Sequence, residues 1–448
     1  MNTVKFKKTI ILLAIVILII GIILIVIALS NNKQNSTNKF TNSEISYEQI
    51  AEDNTLDEYN IEEFDFLLAS NCIQSYISGI NQNNSKYYGT DENGNYKIVV
   101  EQEEINKNAY NFLSSEYIEK NNITTQNVYN YVPKVTQDFL FVPINMKAKN
   151  TEQIKTFKVS GFVTDLNYNF INYLYVLINL DIENRTFSIE PITNDTYESN
   201  DIQNNNVRIQ ENENNKYSFS QYTSDTVIKQ YFKNYKAMML SNPEIAYLCL
   251  DEEYRNKSFT NVESFKKYVN DNKEKYLKIN PSAYNTKTIS DKNYNEKIIV
   301  DQDGHYYIFN TSLANASQFN VMLDTYVIGT SEFNETYLKQ KDENKVVLNI
   351  NRFLYAINDK NPYAYNVLDN TFKENNFNTY EEFETYAKNN FYEYNELAAD
   401  YDLEKEGNYY IYKTQIRSGQ GIAVDTKNIT IIMELKENTD FVMSFNMD

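Results

Sequence analysis

The chain has 448 residues, 42 basic and 61 acidic side chains, and a net charge of −19. Its first thirty residues hold three lysines and no acid, so the remaining 418 hold 39 bases against 61 acids, a net −22. So acidic a body repels phosphate backbones and gains nothing from counterion release, which excludes nucleic acid as a partner class.

Residues 10–29 are apolar throughout, without a charge or a proline. Twenty helical residues span ~30 Å, the thickness of a bilayer's hydrocarbon core. Lys5, Lys7 and Lys8 precede the segment. Flanking bases stay cytoplasmic, so the reading is a cytoplasmic tail at 1–9, a transmembrane helix at 10–29 and an extracytoplasmic body in the cell envelope. The rival is a cleaved signal peptide, whose apolar region is shorter, about 7–15 residues. Residues 30–60 are polar and read as a flexible linker, and residues 193–224 as a second linker. The junction before residue 345 is short, which predicts closer coupling of the last two domains.

Beyond the anchor the chain repeats. Leu250 opens LDEEYRNKSFTNVESFKKY, and Leu368, 118 positions later, opens LDNTFKENNFNTYEEFETY. The alignment pairs Asp251 with Asp369, Tyr254 with Phe372, Arg255 with Lys373, Phe259 with Phe377 and Phe265 with Phe383. A more diverged first copy carries Leu113, Tyr117, Val128 and Tyr131, with an insertion near residues 81–108. Copies of this size are whole domains rather than solenoid units.

Within each copy helices precede strands. Val227, Ile228, Tyr231, Phe232, Tyr235 and Met238 form one apolar stripe, and Val346, Val347, Ile350, Phe353, Leu354 and Ile357 form another. Asn242 and Asn361 stand before prolines as N-caps. Thr260 with Glu263, and Asn378 with Glu381, have capping-box spacing. Strand-like runs follow at 139–146, 156–163, 173–182 and 186–189, at 297–300, 306–309 and 319–328, and at 409–416, 429–435 and 441–445. The expected class is α+β, with helices packed on antiparallel sheets.

That element order and copy length resemble the cystatin-like superfold of the nuclear transport factor 2-like families. The resemblance implies three cystatin-like domains, at 61–192, 225–337 and 345–448, each with helices packed on a bent antiparallel sheet. An anchor followed by such domains also looks like the bitopic scaffold subunits of type IV secretion and conjugation machines.

Chemistry is sparse. His305 is the only histidine and follows Asp303-Gly304, a turn dipeptide; the third copy has Asn408 there. One histidine and two separated cysteines, Cys72 and Cys249, make no zinc or copper ligand set, and the cysteines read as buried free thiols. Asp291-x-Asn293-x-Asn295 opens like a calcium loop but places Glu296 and Gln302 where glycine and a bidentate glutamate are needed. The Asp251–Arg255 and Asp369–Lys373 pairs have the spacing of helix ion pairs. No catalytic, cofactor or metal residue is assigned. Adjacent tyrosines at 306–307 and 409–410 must point to opposite sheet faces; they pack in the core or on a neighbouring domain, or else one face meets a partner, with Tyr307 and Tyr410 as the candidate partner-facing members. The reading is a membrane-anchored scaffold or adaptor that binds envelope proteins or itself, and not an enzyme. The alternative is a domain pocket for a small molecule or glycan.

Overall fold

The computed structural model describes residues 61–448, apart from 83–85, 151–152, 193–206, 220–222, 324–328, 392–393, 421–422 and 448. The expected anchor at 10–29 and linker at 30–60 lie outside the described residues. Among the described residues no helix is long and apolar enough to cross a membrane.

The architecture is α+β, built from three successive units. The first holds α1 (Glu63–Ile80), a hairpin of β1 (Lys86–Thr90) and β2 (Tyr96–Val100), α2 (Gln102–Phe112), α3 (Ser115–Asn121), and strands β3 (Phe139–Asn150), β4 (Ile154–Asp165), β5 (Phe170–Asp181) and β6 (Thr186–Ile192). The second has helices α4 (Ser224–Ser241), α5 (Pro243–Leu248), α6 (Glu252–Ser258), α7 (Val262–Asp271) and α8 (Lys273–Lys278). Strands β7 (Pro281–Ile289), β8 (Tyr294–Asp301), β9 (Tyr306–Ser312) and β10 (Phe319–Leu323) follow. After α9 (Ser331–Leu338), the third has α10 (Asp342–Asn358), α11 (Tyr363–Asn366), α12 (Asn370–Asn376) and α13 (Tyr380–Asn390). It ends in β11 (Asn395–Glu406), β12 (Tyr409–Gln420), β13 (Ala423–Leu435) and β14 (Phe441–Met447). Each unit's four-stranded sheet is an antiparallel meander in chain order.

The two stripes read from the sequence fall on α4 and α10. All six stripe residues of α4 are buried, as are Val346, Ile350, Phe353 and Leu354 of α10. Strands β7 and β11 went unread because both are sheet edges with little apolar content: β11 is exposed along most of its length. The helix caps fall one residue later than the capping-box spacing predicts. Asn261 caps α7 with Ser264 answering, and Thr379 caps α13 through Glu382 N–H. Ahead of the prolines, Asn361 accepts from Tyr363 N–H at 3.0 Å, whereas the Asn242 side chain donates to the Tyr173 hydroxyl at 2.9 Å.

The repeat is visible in hydrogen bonds. In each unit a leucine forms a parallel bridge to the last strand: Leu113 with Ile189, Leu250 with Val321, and Leu368 with Met443. The next residue then caps a seven-residue helix. Ser114, Asp251 and Asp369 accept from the backbone N–H of Tyr117, Tyr254 and Phe372 at 3.2, 3.0 and 3.1 Å. The acids expected to pair at i, i+4 are therefore N-caps. Their cations lie over tyrosine rings instead, Arg255 over Tyr247 at 5.2 Å and Lys373 over Tyr365 at 5.3 Å.

Among the described residues the three units do not each have a large core of their own. One continuous apolar core runs through the first and second units, and a separate core fills the third. Phe66 stacks on Tyr231 across the first seam with ring centres 5.3 Å apart. Backbone joins it too: Ile61 N–H donates to Ala314 O at 3.0 Å, and Ala316 N–H to Ile61 O at 2.8 Å. The described part of the expected 193–224 linker packs on the first unit, where Arg208 pairs with Glu116 and Glu119 and Lys216 bridges Thr186.

Burial raises the phenol pKa of Tyr76, Tyr231 and Tyr235 and pushes Tyr412 up to about 12. An acid whose folded pKa exceeds its unfolded value of ~10 stabilises the fold below pH ~10 and loses that contribution as pH rises through the folded value. Alkaline titration is therefore expected to give two phases of tyrosinate absorbance. The second should coincide with loss of circular dichroism; a single smooth phase before unfolding would contradict the burial.

Candidate functional site

His305 sits in a turn that recurs three times among the described residues. Asp91, Asp165 and Asp301 each open a strand connection, and one carboxylate oxygen of each accepts the backbone N–H groups two and four residues on, at 2.8–2.9 Å. The second oxygen meets the side chain four residues on: Asn95 at 3.2 Å, Asn169 at 2.8 Å and His305 Nδ1 at 3.1 Å. Histidine thus occupies an asparagine's place, and Gly304 supplies the positive φ of the turn.

Burial works against the Asp301 charge, but the side-chain and backbone N–H groups of His305, with Asp303 N–H, outweigh it and hold the carboxyl at about 2. An ionised Asp301 can only accept, so His305 Nδ1 donates. Asp301, Asp303 and His305 bring ligand-type atoms within 4.8 Å of one another. Both oxygens of Asp301 are already engaged by the turn and by the Tyr307 hydroxyl at 3.1 Å. His305→Asn is expected to change stability by no more than ~0.5 kcal/mol. Asp301→Ala should cost about 2 kcal/mol, the equivalent of its lowered pKa. That contribution is present above pH ~4 and is lost as pH falls toward about 2. Thermal unfolding of both variants at neutral and acid pH checks this; a large neutral-pH loss in His305→Asn would give the imidazole a role beyond the turn.

Tyr307 and Tyr410 are corrected: both point inward. Tyr307 is 0% exposed and packs edge-on against Phe232 of α4, with ring centres 5.1 Å apart. Tyr410 is 5% exposed; its hydroxyl donates to Asp342 and accepts from Lys405 Nζ at 2.6 Å. Alternation is strict, so choosing the wrong parity puts every side chain of a strand on the wrong face. The outward member in the third unit is Tyr409, 51% exposed.

Both cysteines are free thiols. Burial raises the Cys72 pKa and pushes Cys249 up to about 12, so neither supplies a thiolate at neutral pH.

The joint between the second and third units is polar and polarised. Lys257 pairs with Asp440, Lys267 with Glu384 at 2.7 Å, and Lys275 with Asp359 at 3.3 Å, each cation from the second unit and each acid from the third. His305 Nε2 lies 3.8 Å from Asp359 on the same seam. The joint also forms a partly open cleft of about 210 Å³. Its wall combines α6, the sheet face of Tyr294, Asn310 and Met322, α9, and Arg352 and Ala356 of α10. On that sheet face Glu296 accepts from the N–H and hydroxyl of Ser331 at 2.8 and 3.0 Å, which holds α9 across the strands. The face opposite α4 is therefore covered from within the chain. No sequence signal points to this cleft, because its lining runs from residue 251 to residue 439.

Comparison with family models, with curated proteins and with solved structures finds no match.

Proposed function

We propose that the chain is a membrane-anchored, extracytoplasmic scaffold or adaptor of the cell envelope, whose three cystatin-like units bind envelope proteins or a second copy of the chain. The anchor is the apolar segment at 10–29, and the acidic body after it suits a soluble surface beyond a membrane. The observation that carries the binding role is the outer face of the third sheet. Tyr409 and Ile411 share that face of β12, and Ile432 stands opposite Ile411 on β13. Tyr409 and Ile432 are 51% and 41% exposed, an aromatic and aliphatic row of the kind that interfaces use. In the second unit the corresponding outer surface is covered by α9 and the third unit; in the third unit this row is open.

Crosslinking of the tagged full chain in its own membrane, followed by identification of what is captured, tests the proposal. A reproducible set of envelope proteins is expected. Tyr409→Lys with Ile432→Lys should remove that set while leaving the melting temperature unchanged. Capture of the chain alone, lost in the same variant, assigns the face to self-association. Capture that is indifferent to both substitutions rejects the face.

A further inference from the structure

The ion pairs that cross the second joint run from cations of the second unit to acids of the third. The cleft at that joint breaks the pattern. Arg352 of α10 brings a cation from the third unit to a wall that Lys257 and Lys292 line from the second. Positive groups from both units therefore share one space. Lys257 is held by Glu253 at 2.6 Å and by Asp440, whereas neither Arg352 nor Lys292 forms an ion pair among the described residues. The acids on the same wall are committed: Asp251 caps α6 through Tyr254 N–H at 3.0 Å, and Glu253 holds Lys257.

Arg352 is fixed in place but not neutralised. Its half-buried guanidinium lies over the Tyr363 and Phe441 rings at 5.2 and 5.6 Å. Nη1 donates to Thr439 O at 2.9 Å and to Asn349 Oδ1 at 3.4 Å. Nε and Nη2 make no bond among the described residues, and two such donors fork onto a carboxylate or a phosphate. Burial raises the Tyr363 pKa, while the charges of Arg352 and Lys257 lower it and that of Asp440 raises it, so both cations stand near one phenol of the wall. A charge taken out of water calls for a counter-charge, and the protein offers Arg352 none. Tyr254, Tyr294 and Met322 add apolar surface, as in pockets that seat the body of a ligand. At ~30 Å³ per water the cleft holds on the order of seven waters, so its occupant is small.

We propose that the cleft between the second and third units binds a small organic oxyanion, a carboxylate or a phosphate ester. Arg352 and Lys292 hold its charged end, and the tyrosines of the wall carry its body. The two cations come from different units, so occupancy also tightens the joint. The proposal needs neither the anchor nor the exposed sheet row, and each can fail without the other.

The test uses the full chain with succinate and glycerol 3-phosphate, and with their neutral counterparts dimethyl succinate and glycerol. Titration calorimetry at low salt and melting temperature are the readouts. At least one anion is expected to bind and to raise the melting temperature, with no effect of either neutral compound. Binding of succinate alone assigns a carboxylate, of glycerol 3-phosphate alone a phosphate, and of both a site for either head group. Lys292→Glu and Arg352→Lys should each weaken anion binding at least about tenfold, the second by losing the fork while keeping the charge. Lys292 is exposed, so Lys292→Glu without ligand should melt with the parent, which keeps its result distinct from misfolding. Lys120→Glu, at an exposed position on α3 of the first unit, changes the net charge equally and should leave binding unaltered. Failure of both anions, equal binding of a neutral counterpart, or the same affinity in Lys292→Glu as in Lys120→Glu would overturn the proposal.

Discussion

Phe309→Ala will destabilise the first and second units together, by about 3–5 kcal/mol, and leave the third unit's hydrogen-exchange protection unchanged. Phe309 is 0% exposed on β9. It meets Tyr231, Tyr235 and Phe319 with ring centres 6.5, 6.0 and 5.9 Å apart. Truncation loses the transfer energy of the ring and leaves a cavity that the three aromatic neighbours cannot close. Tyr231 in turn stacks on Phe66 of α1, so the loss crosses into the first unit, whereas the third has its own core. Hydrogen exchange read by mass spectrometry follows all three units at once. Faster exchange confined to residues 224–323, with α1 and β3 unmoved, would show that the two units unfold separately.

The second large effect lies on the same seam. Lys297 on β8 is 0% exposed and forms an ion pair with Glu63 of α1, with Thr311 Oγ1 accepting a further bond at 3.1 Å. Burial lowers the Lys297 pKa, and the hydrogen bond and charge of Glu63 work against that lowering. Glu63→Ala strands a buried ammonium and is expected to cost about 3 kcal/mol, toward the lower end for a broken buried pair because Glu63 is itself partly exposed. Glu63→Leu with Lys297→Met should recover most of it, since no charge is then left inside. The sign of the pH dependence follows. Without Glu63 the folded state favours neutral lysine more strongly, so the gap between variant and parent is widest at neutral pH. It narrows as pH rises toward ~10 and the lysine sheds its proton. Denaturant titrations at several pH values check this; a gap that is constant with pH would assign the loss to packing.

Much of the fold was legible because the repeat is written in residues that do local work. Leu250 and Leu368 bridge a strand and Asp251 and Asp369 cap a helix, so these residues recur wherever the motif is built. The stripes on α4 and α10 were legible for the usual reason, that a helix buries one face. Strands β7 and β11 were not, because an edge strand facing solvent carries no apolar alternation. The inward parity of Tyr307 and Tyr410 was not legible either: both members of each tyrosine pair are aromatic, and only the packed helices distinguish them. Nor was the shared core of the first two units, since the polar stretch between them says how far apart the units can be and nothing about which surfaces meet. The cleft at the second joint escaped for the same reason.

The backbone pairing of Ile61 with Ala314 and Ala316 has a mechanical consequence. The described chain begins on the second unit before it enters the first. A pull delivered through the segment upstream of Ile61 therefore loads the seam between the two units, where two peptide hydrogen bonds, the Glu63–Lys297 ion pair and the shared aromatic core resist together. Helix α1 is shielded from being peeled from its own sheet until that seam gives way. Tension from the N-terminal side would first part the two units from each other, ahead of any unravelling within either.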